Sequence, residues 1–380
     1  MTQIQTITYL TTIQFGFGAS GILAAELEAL GIARPLVVTD RGIAACGLLA
    51  RVAEAMGAAY SAERVFAETP SNPTETALDL AVAVFRENRC DGIVAVGGGS
   101  SIDLAKGVAL MATHPGPLAQ FAAILGGIPK ISSAVAPVIA IPTTSGTGSE
   151  VGRAALLTLH DGRKLGFISP HLIPKRAICD PDLTVGLPPL LTAATGMDAL
   201  THCIETFLSP RVNPPAEAIA LDGAARAYEW IARAFDDGSD RDARWQMQMA
   251  SLQGGLTFQK GLGAVHSMSH PLGGLQSPVL HHGTLNAVIL PAVLRFNAGH
   301  VGDKYDRLKS ALGLRAEEAL DQVISALNQR LGLPAGLGAM GVPAEVIPAM
   351  VKGALADHST ATNPRTLHTE DFERLFSEAW

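Results

Sequence analysis

Between residues 36 and 141 short β-branched runs alternate with longer helical patterns, and after Pro181 strand-like runs become rare. Leu36-Val37-Val38-Thr39, Gly92-Ile93-Val94-Ala95-Val96 and Val138-Ile139-Ala140-Ile141 read as buried strands. Continuous apolar strands of this kind occur in parallel sheets, where crossover helices cover both faces. Helices are expected from Ile43 to Met56, and from Asn72-Pro73-Thr74 to about Asn88, with the proline near the first turn. Beyond Pro181, amphipathic patterns such as Ala216 to Phe235 and Arg241 to Gln259 predict helices alone. The expected architecture is an α/β domain over residues 1–184 and an all-α domain over residues 185–380. Pro181, Gly186, Pro188 and Pro189 interrupt regular structure at the junction.

With 380 residues, 48% of them apolar, the chain has enough apolar side chains for two cores. Only 17% is charged, which leaves an apolar surface and points to self-association. The formal charge of −7 supplies no basic footprint, so nucleic acid is not an expected partner. Cys46, Cys90, Cys179 and Cys203 are scattered without a C-x-x-C, as in a protein of the reducing cytoplasm. The first residues lack the basic and apolar regions of a signal peptide. No run of about 18 apolar residues occurs, so no membrane span is expected.

Two glycine-rich segments follow strands. Gly97-Gly98-Gly99-Ser100-Ser101-Ile102-Asp103 opens a helix, where bare backbone and oriented N–H groups can receive a phosphate. It is not the G-x-G-x-x-G fingerprint. Pro142-Thr143-Thr144-Ser145-Gly146-Thr147-Gly148-Ser149-Glu150 carries hydroxyls that can donate to phosphate or ribose oxygens. Two such loops after parallel strands predict a nucleotide crevice in a Rossmann-like sheet. Asp40, at the end of the first strand, can accept from a ribose 2′-hydroxyl and would repel a 2′-phosphate, which favours NAD over NADP. A helix N-cap is the alternative role for that residue.

Three pairs of acid or imidazole side chains lie in the second half: Asp198/His202, His266/His270 and His281/His282. The first two are spaced i, i+4, one turn apart on one helix face. A carboxylate with several imidazoles suits a divalent ion such as Fe2+ or Zn2+. Two histidines among the small and apolar residues of Gly263 to Gly274 need partners, because a buried imidazole without one costs free energy. A catalytic ion takes four protein ligands or fewer, so these six candidates exceed the need, and at least one histidine is left for proton transfer or substrate contact.

With these segments in view, the chain resembles the iron-containing, group III alcohol dehydrogenases over nearly its whole length. The resemblance rests on Glu68-Thr69-Pro70-Ser71-Asn72-Pro73, Gly97 to Lys106, Pro142 to Glu150, Gly196 to His202, His266 to Gly274, His282-Gly283-Thr284-Leu285-Asn286-Ala287 and Thr362-Asn363-Pro364-Arg365. Within the family it is most similar to the 4-hydroxybutyrate dehydrogenase branch, through Asp161 to Phe167, Phe258 to Gly263 and Leu280 to Gly283.

The resemblance implies the group III alcohol dehydrogenase fold, shared with dehydroquinate synthase, with its site between the two domains, in a homo-oligomer, a dimer or larger. It implies one divalent metal, Fe2+ or Zn2+, on Asp198, His202, His266 and His282, and a substrate or proton-relay role for His270. It implies NAD contacts at Asp40, Asn72, Gly98, Gly99, Ser100, Asp103, Thr143, Thr144, Ser149 and Lys164. Many members carry proline where His281 stands, so either neighbour can be the last ligand. Gly152-Arg153 stands where many members have threonine and asparagine.

The expected reaction is reversible oxidation of a primary alcohol to an aldehyde. The expected substrate is a short ω-hydroxy acid such as 4-hydroxybutyrate. Arg153, Lys260 and Arg365 are candidates to meet its carboxylate. The rival readings are a general short-chain alcohol dehydrogenase or lactaldehyde reductase, a maleylacetate reductase, a dehydroquinate synthase-like enzyme and a non-catalytic binding protein. Net NADH release, and its loss on chelation, separate the last three from the expected reaction.

Overall fold

The computed structural model describes residues 11–380, in two units. One comprises residues 11–144 together with Ser149–Val185; the other comprises Ser145–Gly148 and Gly186–Trp380. The first contains six strands in the order β1-β8-β5-β4-β2-β3, every pair parallel. They are β1 (Thr12–Phe15), β2 (Pro35–Val38), β3 (Val65–Phe66), β4 (Gly92–Gly97), β5 (Val138–Pro142) and β8 (Arg176–Cys179). The intervening β6 (Ala154–Thr158) and β7 (Lys164–Ile168) form a separate antiparallel hairpin.

Side chains alternate across the sheet, as a period of two requires. Leu36, Ile93 and Val138 stand in register and share a core with helices α4 (Glu75–Glu87) and α5 (Gly99–Met111). Val37, Val94 and Ile139 face the opposite core, with α1 (Leu23–Ala29) and α3 (Leu48–Met56). Helices therefore cover both faces, and this parallel sheet is the one its apolar strands predict.

Some sequence expectations need correction. The helix expected over Ile43–Met56 is two, α2 (Arg41–Ala45) and α3, because Gly47 adopts φ +87° between them. That left-handed turn suits glycine and ends a helix. Pro73 precedes α4 rather than opening it: Thr74 is the cap, its Oγ1 accepting from the Ala77 N–H at 3.2 Å. The β6–β7 hairpin and strands β1, β3 and β8 also lie outside the sequence reading.

The second unit is helical: α6 (Pro189–Leu208), α7 (Pro214–Asp236), α8 (Arg241–Thr257), α9 (Ala264–Leu272), α10 (His282–Asn297), α11 (Lys304–Ala311), α12 (Leu320–Arg330), α13 (Ile347–Ala356) and α14 (Thr369–Glu378). Every residue of α6 from Thr192 to Leu208 is buried, so the helix forms the middle of the core. A helix buried all round must satisfy its polar side chains inside the protein. Thr201 and Thr206 donate to carbonyls of the preceding turn. Asp198, His202 and Glu205 are left to the site.

No described helix is long and apolar enough to cross a membrane. The cysteines form no disulfide.

Candidate functional site

Four side chains converge inside the helical unit. Asp198 and His202 project from α6, His266 from α9, and His282 from the first turn of α10. Each offers a ligating atom within 4.8 Å of the other three. Asp198 Oδ1 lies 3.7 Å from His202 Nε2, 4.0 Å from His266 Nε2 and 3.7 Å from His282 Nε2. Glycines permit this approach. A Cβ on Gly283 would lie 2.3 Å from the Ala194 carbonyl oxygen, so backbone contact of α10 with α6 seats His282 beside Asp198. A Cβ on Gly254 would meet His202 Cβ at 3.1 Å.

The outer nitrogens of two rings have fixed partners. His266 Nδ1 donates to Glu205 Oε2 at 2.6 Å, and His202 Nδ1 donates to the Gly146 carbonyl at 3.3 Å. A carbonyl can only accept, so the proton of His202 sits on Nδ1; the Glu205 carboxylate selects the same tautomer in His266. Each Nε2 then presents a lone pair, and the two are 2.9 Å apart, beside a carboxylate oxygen. Lone pairs converging at that distance repel unless a cation lies among them. The donor set therefore fits a divalent metal of the iron or zinc type. Burial pushes His202 down to about 4, which keeps it neutral and able to ligate. Burial opposes protonation of His266, but Glu205 outweighs it and raises that group.

Two residues of this site escaped the sequence reading. Glu205 orients His266 and also accepts from the Val265 N–H at 2.7 Å, capping α9. Asn286 donates to Asp198 Oδ1 at 2.7 Å and lies 3.2 and 3.1 Å from the Nε2 atoms of His266 and His282. Helix spacing could have found both: Glu205 is three residues beyond His202, and Asn286 is four beyond His282. Asn363, from the Thr362-Asn363-Pro364-Arg365 motif, accepts from the Ala264 N–H at 3.2 Å and supports the same helix start. Carboxylate partners of metal-bound histidines raise ligand basicity. Glu205→Ala is expected to weaken metal binding by about 10–100-fold, with Glu205→Gln intermediate. Equal metal affinity in all three proteins would sink this role.

His270 and His281 stand apart from the four. The His270 ring centroid is 5.6 Å from those of His266 and His282. Its Nδ1 lies 2.8 Å from Asp357 Oδ2, which leaves Nε2 as the acceptor. His281 is exposed and caps α10, its Nδ1 accepting from the Thr284 N–H at 3.4 Å. His282, next to the glycine, is the member of that pair turned toward Asp198.

In the α/β unit the strand order reverses between β2 and β4, where a crevice forms in open sheets of this type. Asp40 and the Gly97-Gly98-Gly99 run meet there. Asp40 Oδ1 caps α2 by accepting from the Ile43 N–H at 3.0 Å, and Oδ2 lies 3.5 Å from Ser101 Oγ. Asp40 is thus a helix cap with one oxygen still at the strand ends. Gly97 adopts φ +146°, and a Cβ there would lie 2.6 Å from Ser101 Oγ. Gly98 brings no side chain to the start of α5 and packs beside Thr144. The Thr143 N–H donates to the Gly97 carbonyl at 3.0 Å, which ties the two loops together. Ser100 Oγ donates to the Ser71 carbonyl.

Other expected contacts pair among themselves. Lys164 Nζ donates to Asn72 Oδ1 at 2.9 Å, and burial brings Lys164 down to about 8. Ser149 Oγ donates to Asp103 Oδ1 at 2.5 Å, while Asp103 Oδ2 accepts from the Leu156 N–H. The buried Lys106 ammonium donates to Ser149 Oγ and to the Gly152 and Ala154 carbonyls. The side chains of Asp103 and Ser149 thus anchor the hairpin to α5.

Two cations proposed for a substrate carboxylate are also committed elsewhere. Lys260 is fully buried and donates to the Thr206, Phe207 and Ser209 carbonyls at the end of α6. Arg365 lies 4.0 Å over the Phe296 ring, donates to the Phe296 carbonyl at 3.2 Å and sits 3.8 Å from Asp371.

Comparison with known proteins identifies the family. Residues 11–181 match the family model of iron-containing alcohol dehydrogenase, and residues 192–380 match that of the Fe-containing alcohol dehydrogenase family, C-terminal. The chain belongs to the iron-containing alcohol dehydrogenase family. The resemblance read from its motifs is borne out, and the protein is an alcohol oxidoreductase with this family's fold. It is 55% identical over 380 residues to a 4-hydroxybutyrate dehydrogenase of Cupriavidus necator, covering 98% of this chain and 99% of that one. A crystal structure of 1,3-propanediol oxidoreductase superposes with a TM-score of 0.91 at 34% identity, covering 99% and 100% of the two chains. Sulfoacetaldehyde reductase from Bifidobacterium kashiwanohense, solved in complex with NAD+, gives 0.89 at 28% identity, covering 100% and 99%. This iron-containing alcohol dehydrogenase thus keeps the fold of its family from end to end.

Proposed function

We propose that the protein oxidises 4-hydroxybutyrate reversibly to succinate semialdehyde with NAD, at a divalent metal on Asp198, His202, His266 and His282. The 2.9 Å approach of two Nε2 lone pairs beside the Asp198 carboxylate carries the metal-dependent class. Full-length similarity to a 4-hydroxybutyrate dehydrogenase directs the choice of substrate. When bound, the ion supplies positive charge that favours the ionised form of an alcohol, and NAD supplies the hydride acceptor.

The chain's own residues do the rest. Glu205 and Gly146 fix the tautomers of His266 and His202, and Asn286 fixes the Asp198 carboxylate. Asp357 holds His270 through Nδ1, so Nε2 is the nitrogen that takes the alcohol proton on oxidation and returns it on reduction. The Gly97-Gly98-Gly99 turn and the Thr143-Thr144 loop receive the dinucleotide, and the second oxygen of Asp40 selects NAD over a 2′-phosphorylated cofactor.

Metal analysis of the purified protein, with NAD and NADP reduction assays on graded ω-hydroxy acids and plain alcohols, tests this reading. The expected outcome is one ion per chain, a preference for NAD and the highest kcat/KM on 4-hydroxybutyrate. Undiminished activity after full chelation, or no gain from a terminal carboxylate, overturns it. Arg153 stands where many members of the family carry asparagine, and on that difference it is the cation proposed to meet the carboxylate. Arg153→Gln is expected to raise KM for 4-hydroxybutyrate about tenfold, the worth of one charge-assisted hydrogen bond, and to spare 1-butanol. An equal change for both substrates would remove Arg153 from that role.

A further inference from the structure

One group of ligating side chains lies beside the four metal-ligand candidates and shares no residue with them. His270, Asp357 and His358 each present a ligating atom within 4.8 Å of the others. His270 Nδ1 lies 2.8 Å from Asp357 Oδ2, and His358 Nδ1 lies 3.7 Å from Asp357 Oδ1. The two rings stack at 5.7 Å with their planes 17° apart. The fold holds the group together from two directions. His270 sits in the last turn of α9, and Asp357 caps the end of α13 while accepting from the Ser359 N–H at 2.8 Å. The helices are closely packed: a Cβ on Gly353 of α13 would lie 2.7 Å from Pro271 of α9.

Exposure within the group is graded. The side chains of His270 and Asp357 are 6% and 12% exposed, whereas His358 is 40% exposed. An ion can therefore reach the group from solvent past His358. Two imidazoles and one carboxylate form a donor set for borderline divalent metals, and one carboxylate offsets half the charge of such an ion. Zn2+ binds nitrogen and oxygen donors more tightly than Fe2+, so it is the stronger competitor for such a place. With three ligands, one of them on the partly exposed His358, the group holds an ion less tightly than the buried set of four.

We propose that His270, Asp357 and His358 form a second divalent-metal site, open to solvent and filled by Zn2+ in preference to Fe2+, whose occupation inhibits the enzyme. Inhibition follows because a His270 nitrogen engaged with the ion removes that ring from proton transfer. This consequence rests on the role given to His270 above; the binding itself does not.

The test is a Zn2+ titration of the metal-loaded, full-length protein, followed with a competing zinc indicator and paired with steady-state assays. The expected result is a second equivalent that a mild chelator removes first. His358→Gln and Asp357→Asn weaken it at least about tenfold, while elemental analysis still finds the first ion. Excess Zn2+ lowers kcat of the wild type and leaves His358→Gln unaffected. Absence of a second equivalent overturns the proposal. So does one that survives both variants and disappears in His160→Gln, since His160 lies 3.2 Å from Asp79 at the surface. A second equivalent lost in His358→Gln but without effect on wild-type kcat upholds the site and overturns the proton role of His270.

Discussion

Replacing His266 with alanine is expected to give a folded protein that retains no divalent metal and turns over roughly 10³-fold more slowly. The magnitude follows from the several kcal/mol that a Lewis acid contributes to charge stabilisation, at about 1.4 kcal/mol per factor of ten. Removing this ring breaks the site twice. It deletes one of two facing Nε2 donors, and it strands the Glu205 carboxylate that the ring engages. His270→Ala, one turn further along α9, is the informative contrast. It should keep its ion and lose about 10²–10⁴-fold in kcat, the usual worth of general acid–base catalysis. Elemental analysis beside kcat measurements decides between the two roles. A His266→Ala protein that keeps one ion per chain and near-normal kcat would exclude His266 as a ligand.

Lys260→Met should behave as a stability mutant with an ordinary active site. The ammonium supports three carbonyls at the end of α6 and lies 3.2 Å from Glu217, while Lys304 shares two of those carbonyls. Lysine near a helix C-terminus also meets the negative end of the dipole. Burial and the Lys304 charge together pull Lys260 down to about 8, so near neutral pH it remains a cation. Methionine fills the space without donating. The cost is about 3 kcal/mol, the low end of what breaking a buried charge pair costs, because Glu217 is partly solvated and Lys304 takes up some of its bonds. The urea midpoint should fall, while KM for 4-hydroxybutyrate should stay within about twofold of wild type. A raised KM at unchanged stability would instead restore Lys260 as a substrate contact.

The features that could be read from the sequence are those with short-range signatures. Strands β2, β4 and β5 are apolar runs between glycine-rich turns, and the 3.6-residue period fixes the shared faces of Asp198/His202 and His266/His270. Strands β1, β3 and β8 are four residues or fewer, and pairing with distant strands makes them strands. The β6–β7 hairpin lacks alternation, since Ala154-Ala155-Leu156-Leu157 is apolar throughout. The distinction between His270 and the ligands has no local signature either. Both histidines of α9 lie on one face, and separation arises because Glu205 engages one ring and Asp357 the other. Lys260 is the opposite case: a lysine beside glycines reads as a solvent-facing charge, and tertiary packing carries its ammonium to the end of α6.

The complete burial of α6 bears on hydrogen exchange. A helix with no solvent-facing side from Thr192 to Leu208 cannot fray open locally, so its amides should exchange through opening of the whole helical unit. Asp198 and His202 therefore ride on a slowly exchanging segment, and their spacing should outlast loss of the ion. Chelated protein should keep the deuterium protection of α6 while α9 and the first turn of α10 become more labile.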